Sequence, residues 1–193
     1  MRFLRQVLFS IVGVAFVAMA GNALAEGIKT RQAQIEASDS AWVVNASFQI
    51  ELAPELDDAV KKGITFHFVT EFNVSRGRWY WFDEKPVQAL KNIKLSYQPV
   101  TQTYRVSSGG LTLSATTLHE ALIQLGSIGA WQVSELGVLD GSKPYQAEIR
   151  MRLDLSQLPK PFQINAINAR EWNLSSDWFR FSFTPPPKIN SAK

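Results

Sequence analysis

The feature that most constrains this chain is a period of two. Across Trp42 to Leu52 the even positions Trp42, Val44, Ala46, Phe48, Ile50 and Leu52 are apolar, while Asn45, Ser47, Gln49 and Glu51 are polar, with Val43 the exception. Successive side chains of a strand point to opposite faces, so this alternation describes a strand buried on one side. Ile64 to Val74 repeats it. Ile64, Phe66, Phe68, Phe72 and Val74 share one face, and Thr65, His67, Glu71 and Asn73 share the other. Tyr145 to Leu155 is the clearest case, with Gln146, Glu148, Arg150, Arg152 and Asp154 forming its polar row. Half-buried strands of this kind belong to antiparallel sheets.

Turn residues mark the connections. Ser75-Arg76-Gly77 leads towards Arg78–Asp83, Pro99 to Gln102 separates Lys94–Gln98 from Thr103–Ser107, and Gly109-Gly110 precedes Leu111–Ser114. A last alternating strand runs from Trp178 to Phe183. Two short helices interrupt the strands. Pro54 suits a first helical position, with Glu55, Asp57 and Asp58 at the positive end and Lys61-Lys62-Gly63 at the close. Thr117 and Glu120 form a capping box for the second helix, which Gly126 ends. The segment from Leu158 to Ser176 is less regular. The expected fold is mainly β: an antiparallel sandwich or strongly curved sheet of eight to nine strands with two short helices.

Residues 1–25 have the pattern of an export signal. Arg2 and Arg5 precede the apolar run Val7–Ala20, and Ala23-Leu24-Ala25 offers small residues for cleavage before Glu26. The run is shorter than the ~20 residues a membrane-crossing helix needs, which favours cleavage over a stable transmembrane anchor. A membrane-proximal role follows only if the signal is retained. The expected organisation is a cleaved signal at 1–25, one β-rich domain at 26–184 and a proline-rich flexible tail at 185–193. The expected location is the periplasm.

Cleavage also changes the charge. Of 20 Lys and Arg against 17 Asp and Glu, Arg2 and Arg5 leave with the signal, so little net charge remains. A nucleic-acid partner needs a concentrated basic face. Lys85 to Lys94 is the nearest candidate, and its three lysines read as a solvated surface. There is no cysteine, which removes disulfides, thiolate metal sites, a lipidated N-terminal cysteine and a thiol nucleophile.

Catalytic patterns are sparse. His119-Glu120 would need a second histidine at position 123 for a zinc motif, and Ile123 stands there. His67 and Glu71 share a face but lie about 13 Å apart along the strand. Asp57-Asp58 and Asp83-Glu84 fit a helix start and a hairpin end. The Asn-x-Ser sequons at Asn45, Asn73 and Asn173 fall in expected strands or turns. No catalytic, cofactor or metal residue is assigned.

The aromatic clusters remain. Arg78-Trp79-Tyr80-Trp81-Phe82-Asp83 puts rings on both faces of a strand, and a second cluster runs from Arg170 to Trp178. Aromatic rings flanked by Arg and Asp suit a sugar, a peptide or a lipid head group. The candidate interaction surface is Arg78, Trp79, Trp81, Arg170, Trp172 and Trp178. The leading expectation is a non-enzymatic binding or scaffolding module with an envelope protein or glycan as partner. The alternative is a periplasmic hydrolase or small-molecule binder using dispersed residues such as His67, Asp83, Glu84 and Asp177.

Three stretches carry a family resemblance: Arg78-Trp79-Tyr80-Trp81 with Asp83; Leu95-Ser96-Tyr97-Gln98 through Thr101 to Tyr104-Arg105-Val106-Ser107; and Leu158-Pro159-Lys160-Pro161 leading to Glu171-Trp172-Asn173-Leu174-Ser175-Ser176-Asp177-Trp178. Together they resemble the proteobacterial family called domain of unknown function 4390. The resemblance covers nearly all of the chain after the signal. It implies a Gram-negative envelope protein, and it implies no reaction, cofactor or substrate.

Mass spectrometry of the protein from its native envelope is expected to show a chain beginning at Glu26. An intact Met1 would overturn the cleavage.

Overall fold

The structure is a computed structural model and describes residues 27–76, 84–141 and 143–186. The export signal, Arg78, Trp79, Trp81, Asp83 and the tail beyond Pro186 lie outside the described residues. Nine strands are described: β1 (Gly27–Ala37), β2 (Ala41–Glu51), β3 (Phe66–Arg76), β4 (Glu84–Gln98), β5 (Thr103–Ser108), β6 (Leu111–Ala115), β7 (Ser127–Glu135), β8 (Tyr145–Leu153) and β9 (Phe179–Phe183). Helix α1 (Pro54–Lys61) follows β2, α2 (Leu118–Gly126) follows β6, and α3 (Lys160–Asn168) follows β8. The fold is mainly β, as the alternation requires, with a third helix in the irregular stretch after Leu158.

All pairings are antiparallel. A three-stranded sheet runs β1-β2-β7, and a six-stranded sheet runs β6-β5-β4-β3-β8-β9. They share one apolar core in a sandwich-like arrangement. β3 supplies Phe66, Phe68 and Phe72, each fully buried, and β8 adds Ile149 and Met151. From the smaller sheet come Val44 and Phe48 of β2 and Trp131 of β7. The rings of Phe72 and Trp131 meet edge to face with centroids 6.3 Å apart, a favoured aromatic geometry.

Two strands escape the sequence pattern for physical reasons. β1 fully buries only Ile28 among its eleven residues, with Ala33 and Ile35 half-buried against the core, and a register shift between Thr30 and Gln32 breaks its period. In β7 the alternation loses phase. Register shifts separate Trp42 from Val43 and Val44 from Ala46 on β2, and Ala130 takes a left-handed φ of 46° opposite them. Asn45 Oδ1 accepts a hydrogen bond from the Ala130 N–H at 2.8 Å, which holds this bulge. β4 is also longer than expected. Its inward row includes Val87, Ile93 and Leu95, but Lys91 interrupts it. The Lys91 ammonium lies 5.9 Å from the Trp131 ring centre, so this lysine is a cation–π partner rather than part of a solvated run.

The helix ends follow the expected chemistry with one adjustment. Thr117 Oγ1 accepts from the Glu120 N–H at 3.2 Å. The Glu120 carboxylate reaches back to the Thr116 N–H at 3.0 Å, one residue earlier than the standard box. Gly126 ends α2 because of space. A Cβ there would collide with the Phe48 carbonyl oxygen, so only glycine lets the helix close onto β2. Pro185, beyond β9, is buried.

Replacing Gly126 by alanine is expected to cost about 1–3 kcal/mol in urea unfolding, the usual range for overpacking. Gly129→Ala meets nothing within 4 Å and is expected to stay within about 0.5 kcal/mol of the parent.

Candidate functional site

The structure divides the expected interaction surface. Trp172 is buried at 7% exposure, packed against Phe66 at 6.1 Å and Phe162 at 5.8 Å between ring centres. It is therefore a core residue, because the turn Arg170–Trp172 folds the indole inward under α3. Arg170 beside it is exposed. Trp178 is half-buried and precedes β9. Arg78, Trp79 and Trp81 lie outside the described residues.

Trp178 has a defined setting. The register of β8 with β9 pairs Ile149 with Phe179, so Trp178 falls beside Arg150 on the outer face. The Arg150 guanidinium stands 4.4 Å from the centre of the indole. Its nitrogens also donate to Glu71 Oε2 at 3.0 and 2.8 Å, while Arg152 Nε donates to Glu71 Oε1 at 2.7 Å. One carboxylate thus fixes two arginines, and one of them fixes the tryptophan. Beside the ring lies a cleft of about 310 Å³, lined by Lys29, Thr30 and Arg31 of β1 with Asp177, Trp178 and Phe179. Lys29, Arg31 and Asp177 are exposed. Thr30 Oγ1 is buried with no hydrogen-bond partner among the described residues.

A larger concavity lies at the same end of β2 but on the side away from β1. About 680 Å³ separates Phe48–Leu52 from Leu118, His119, Leu122 and Ile123 of α2, with Pro54 and Asp57 of α1 at its end. Its walls are mostly apolar. No feature of the sequence marked it, since helix and strand are about seventy residues apart in the chain.

Of the residues of the alternative reading, His67 and Glu84 lie at opposite ends of the β3–β4 pair, Glu84 opposite Arg76. His67 lies opposite Lys94 in β4 and level with Asp154, whose N–H donates to the His67 carbonyl at 2.7 Å. Burial, reinforced by the Lys94 charge, lowers the His67 pKa against a weaker pull from Asp154. Asp177 belongs to the Trp178 cleft, near the level of Arg150 rather than Asp154. Asp83 lies outside the described residues. Glu71 is bound to arginines rather than available to His67. Among the described residues no group of three His, Asp or Glu side chains is placed to hold a metal ion. No helix there is long and apolar enough to cross a membrane.

The family model described as domain of unknown function (DUF4390) matches residues 25–182, and the chain belongs to that family. No curated protein and no solved structure matches it.

The Glu71 cluster carries a pH signature. Burial opposes ionisation of Glu71, but hydrogen bonds and charge from Arg152 and Arg150 outweigh it and hold the pKa below 4.5. A depressed carboxylate pKa adds stability that is fully present above the unfolded value and lost as pH falls through the folded one. Glu71→Gln is expected to lower stability by about 1–2 kcal/mol at pH 7, the partial exposure of both arginines limiting the effect. Its urea midpoint should then fall less than the parent's below pH 4.5. Parallel acid profiles would show that Glu71 makes no such contribution.

Proposed function

We propose that this DUF4390 member is a periplasmic binding module of the cell envelope, without a catalytic step of its own, that engages an envelope glycan through the Trp178 cleft. The observation that carries this reading is the Trp178 ring, held by Arg150 at 4.4 Å beside a cleft that Lys29 and Asp177 also line. A sugar presents an apolar C–H face to an aromatic ring and hydroxyls to surrounding polar groups, which is the mixture this cleft offers. Lys29 and Asp177 add one cation and one carboxylate that can meet its hydroxyls, while the Arg31 guanidinium is turned to Gln49.

The export pattern at 1–25 supports the location. The state of the polar residues supports binding over hydrolysis. Glu71 is engaged by two arginines, and the shift at His67 favours its neutral form beside a lysine. A general acid–base pair needs two groups within reach of one substrate atom, and His67 and Asp177 sit on different parts of the sheet.

Co-sedimentation with purified peptidoglycan sacculi tests the reading, with cellulose as the neutral control. Trp178→Ala is expected to weaken binding about tenfold or more, the scale of losing an aromatic anchor, while Trp178→Phe retains most of it. Equal sedimentation of a folded Trp178→Ala variant and the parent would overturn the assignment.

A further inference from the structure

The groove between β2 and α2 points to a second and different binding event. β7 pairs with β2 only from Ala41 to Ser47, because the chain turns out of α2 into β7 at Ser127. β1 covers the opposite edge as far as Glu51. Among the described residues, therefore, no strand flanks Phe48–Glu51 on the β7 side. Helix α2 lies there instead, touching β2 where Gly126 meets Phe48, and the groove occupies the space beside that contact.

We propose that this groove takes an extended apolar peptide segment with basic flanks from another protein, added as a strand on the open edge of β2. Strand addition obtains affinity from main-chain hydrogen bonds and selectivity from pockets that meet alternate side chains. The groove offers both an unflanked strand edge and apolar walls from Leu118, Leu122 and Ile123. Ile123 is 59% exposed, a large apolar side chain at the rim that a bound segment would cover. The charge at the rim selects the partner. Glu51 and Asp57 both line the groove. Asp57 holds Lys61 through Oδ2 at 2.8 Å, while its Oδ1 is buried with no partner among the described residues. A peptide N–H or a lysine ammonium satisfies that oxygen, whereas the carboxylate of a fatty acid would be repelled. No residue lines both this groove and the Trp178 cleft, although Lys29 pairs with Gln49 across β1 and β2, so each site carries its own test.

Fluorescence anisotropy tests the proposal with a labelled peptide of about eight residues, leucine alternating with serine and lysine at both ends. The purified protein is expected to bind it saturably. Ile123→Lys, at an exposed position that leaves the core intact, should weaken binding about tenfold or more. N-methylation of the peptide backbone, or replacement of its lysines by glutamates, should do the same. Trp178→Ala should leave the affinity unchanged. Absence of saturable binding, equal binding of the N-methylated peptide, or an unchanged affinity for Ile123→Lys would each overturn the assignment. Binding of dodecylmaltoside in place of the peptide would assign the groove to an acyl chain and overturn it too.

Discussion

Everything in this molecule depends on the burial of the inner face of β3. The chain has no cysteine, so no covalent link reinforces the packing. β3 pairs with β4 on one side and β8 on the other, placing Phe66, Phe68 and Phe72 at the centre of the core. A strand with one face so firmly set has its register set as well, because a slip of one residue would turn those rings outward. The opposite face is then equally determined. His67, Glu71 and Asn73 are displayed along the outer surface of the sheet because the phenylalanines are not.

That outer surface contains a chain of fixed side chains. Glu71 on β3 binds Arg150 and Arg152 on β8, and Arg150 lies over Trp178 just before β9. A long arginine side chain loses considerable rotamer freedom when held, and a half-buried ion pair returns only modest stability. What the arrangement provides is position. The indole is held by a strand-bound cation at the edge of a cleft whose other wall comes from β1, a strand of the smaller sheet.

The smaller sheet is incomplete along one edge, and that incompleteness follows from one contact. α2 approaches β2 closely enough that Gly126 cannot carry a side chain. β7 begins immediately afterwards and pairs with β2 only up to Ser47. The last four residues of β2 are left between β1 and a helix. A helix covers apolar surface but cannot continue a strand ladder, so the same closure that completes the core leaves a groove with an open edge.

The alternation in β2, β3 and β8 was legible directly, as were the ends of α1 and α2, because these depend on neighbours a few residues apart. β1 was not legible, because a register shift between Thr30 and Gln32 breaks the row of Ile28, Ala33 and Ile35. β7 was not, because a bulge around Ala130 breaks its period, and most of β4 was not, because Lys91 stands in its inward row. Of the candidate surface, Trp178 was legible as an aromatic among charges, but Trp172 in the same cluster belongs to the core. Nothing local distinguishes the two. The partners of Trp178 come from β1 and β8, and the groove joins residues around 50 with residues around 120. The sequence by itself determined which faces are apolar, since that is a matter of composition at a two-residue period. Only the tertiary structure decided which polar and aromatic groups meet, because cross-strand register and the approach of a helix to a strand bring together residues that the chain keeps far apart.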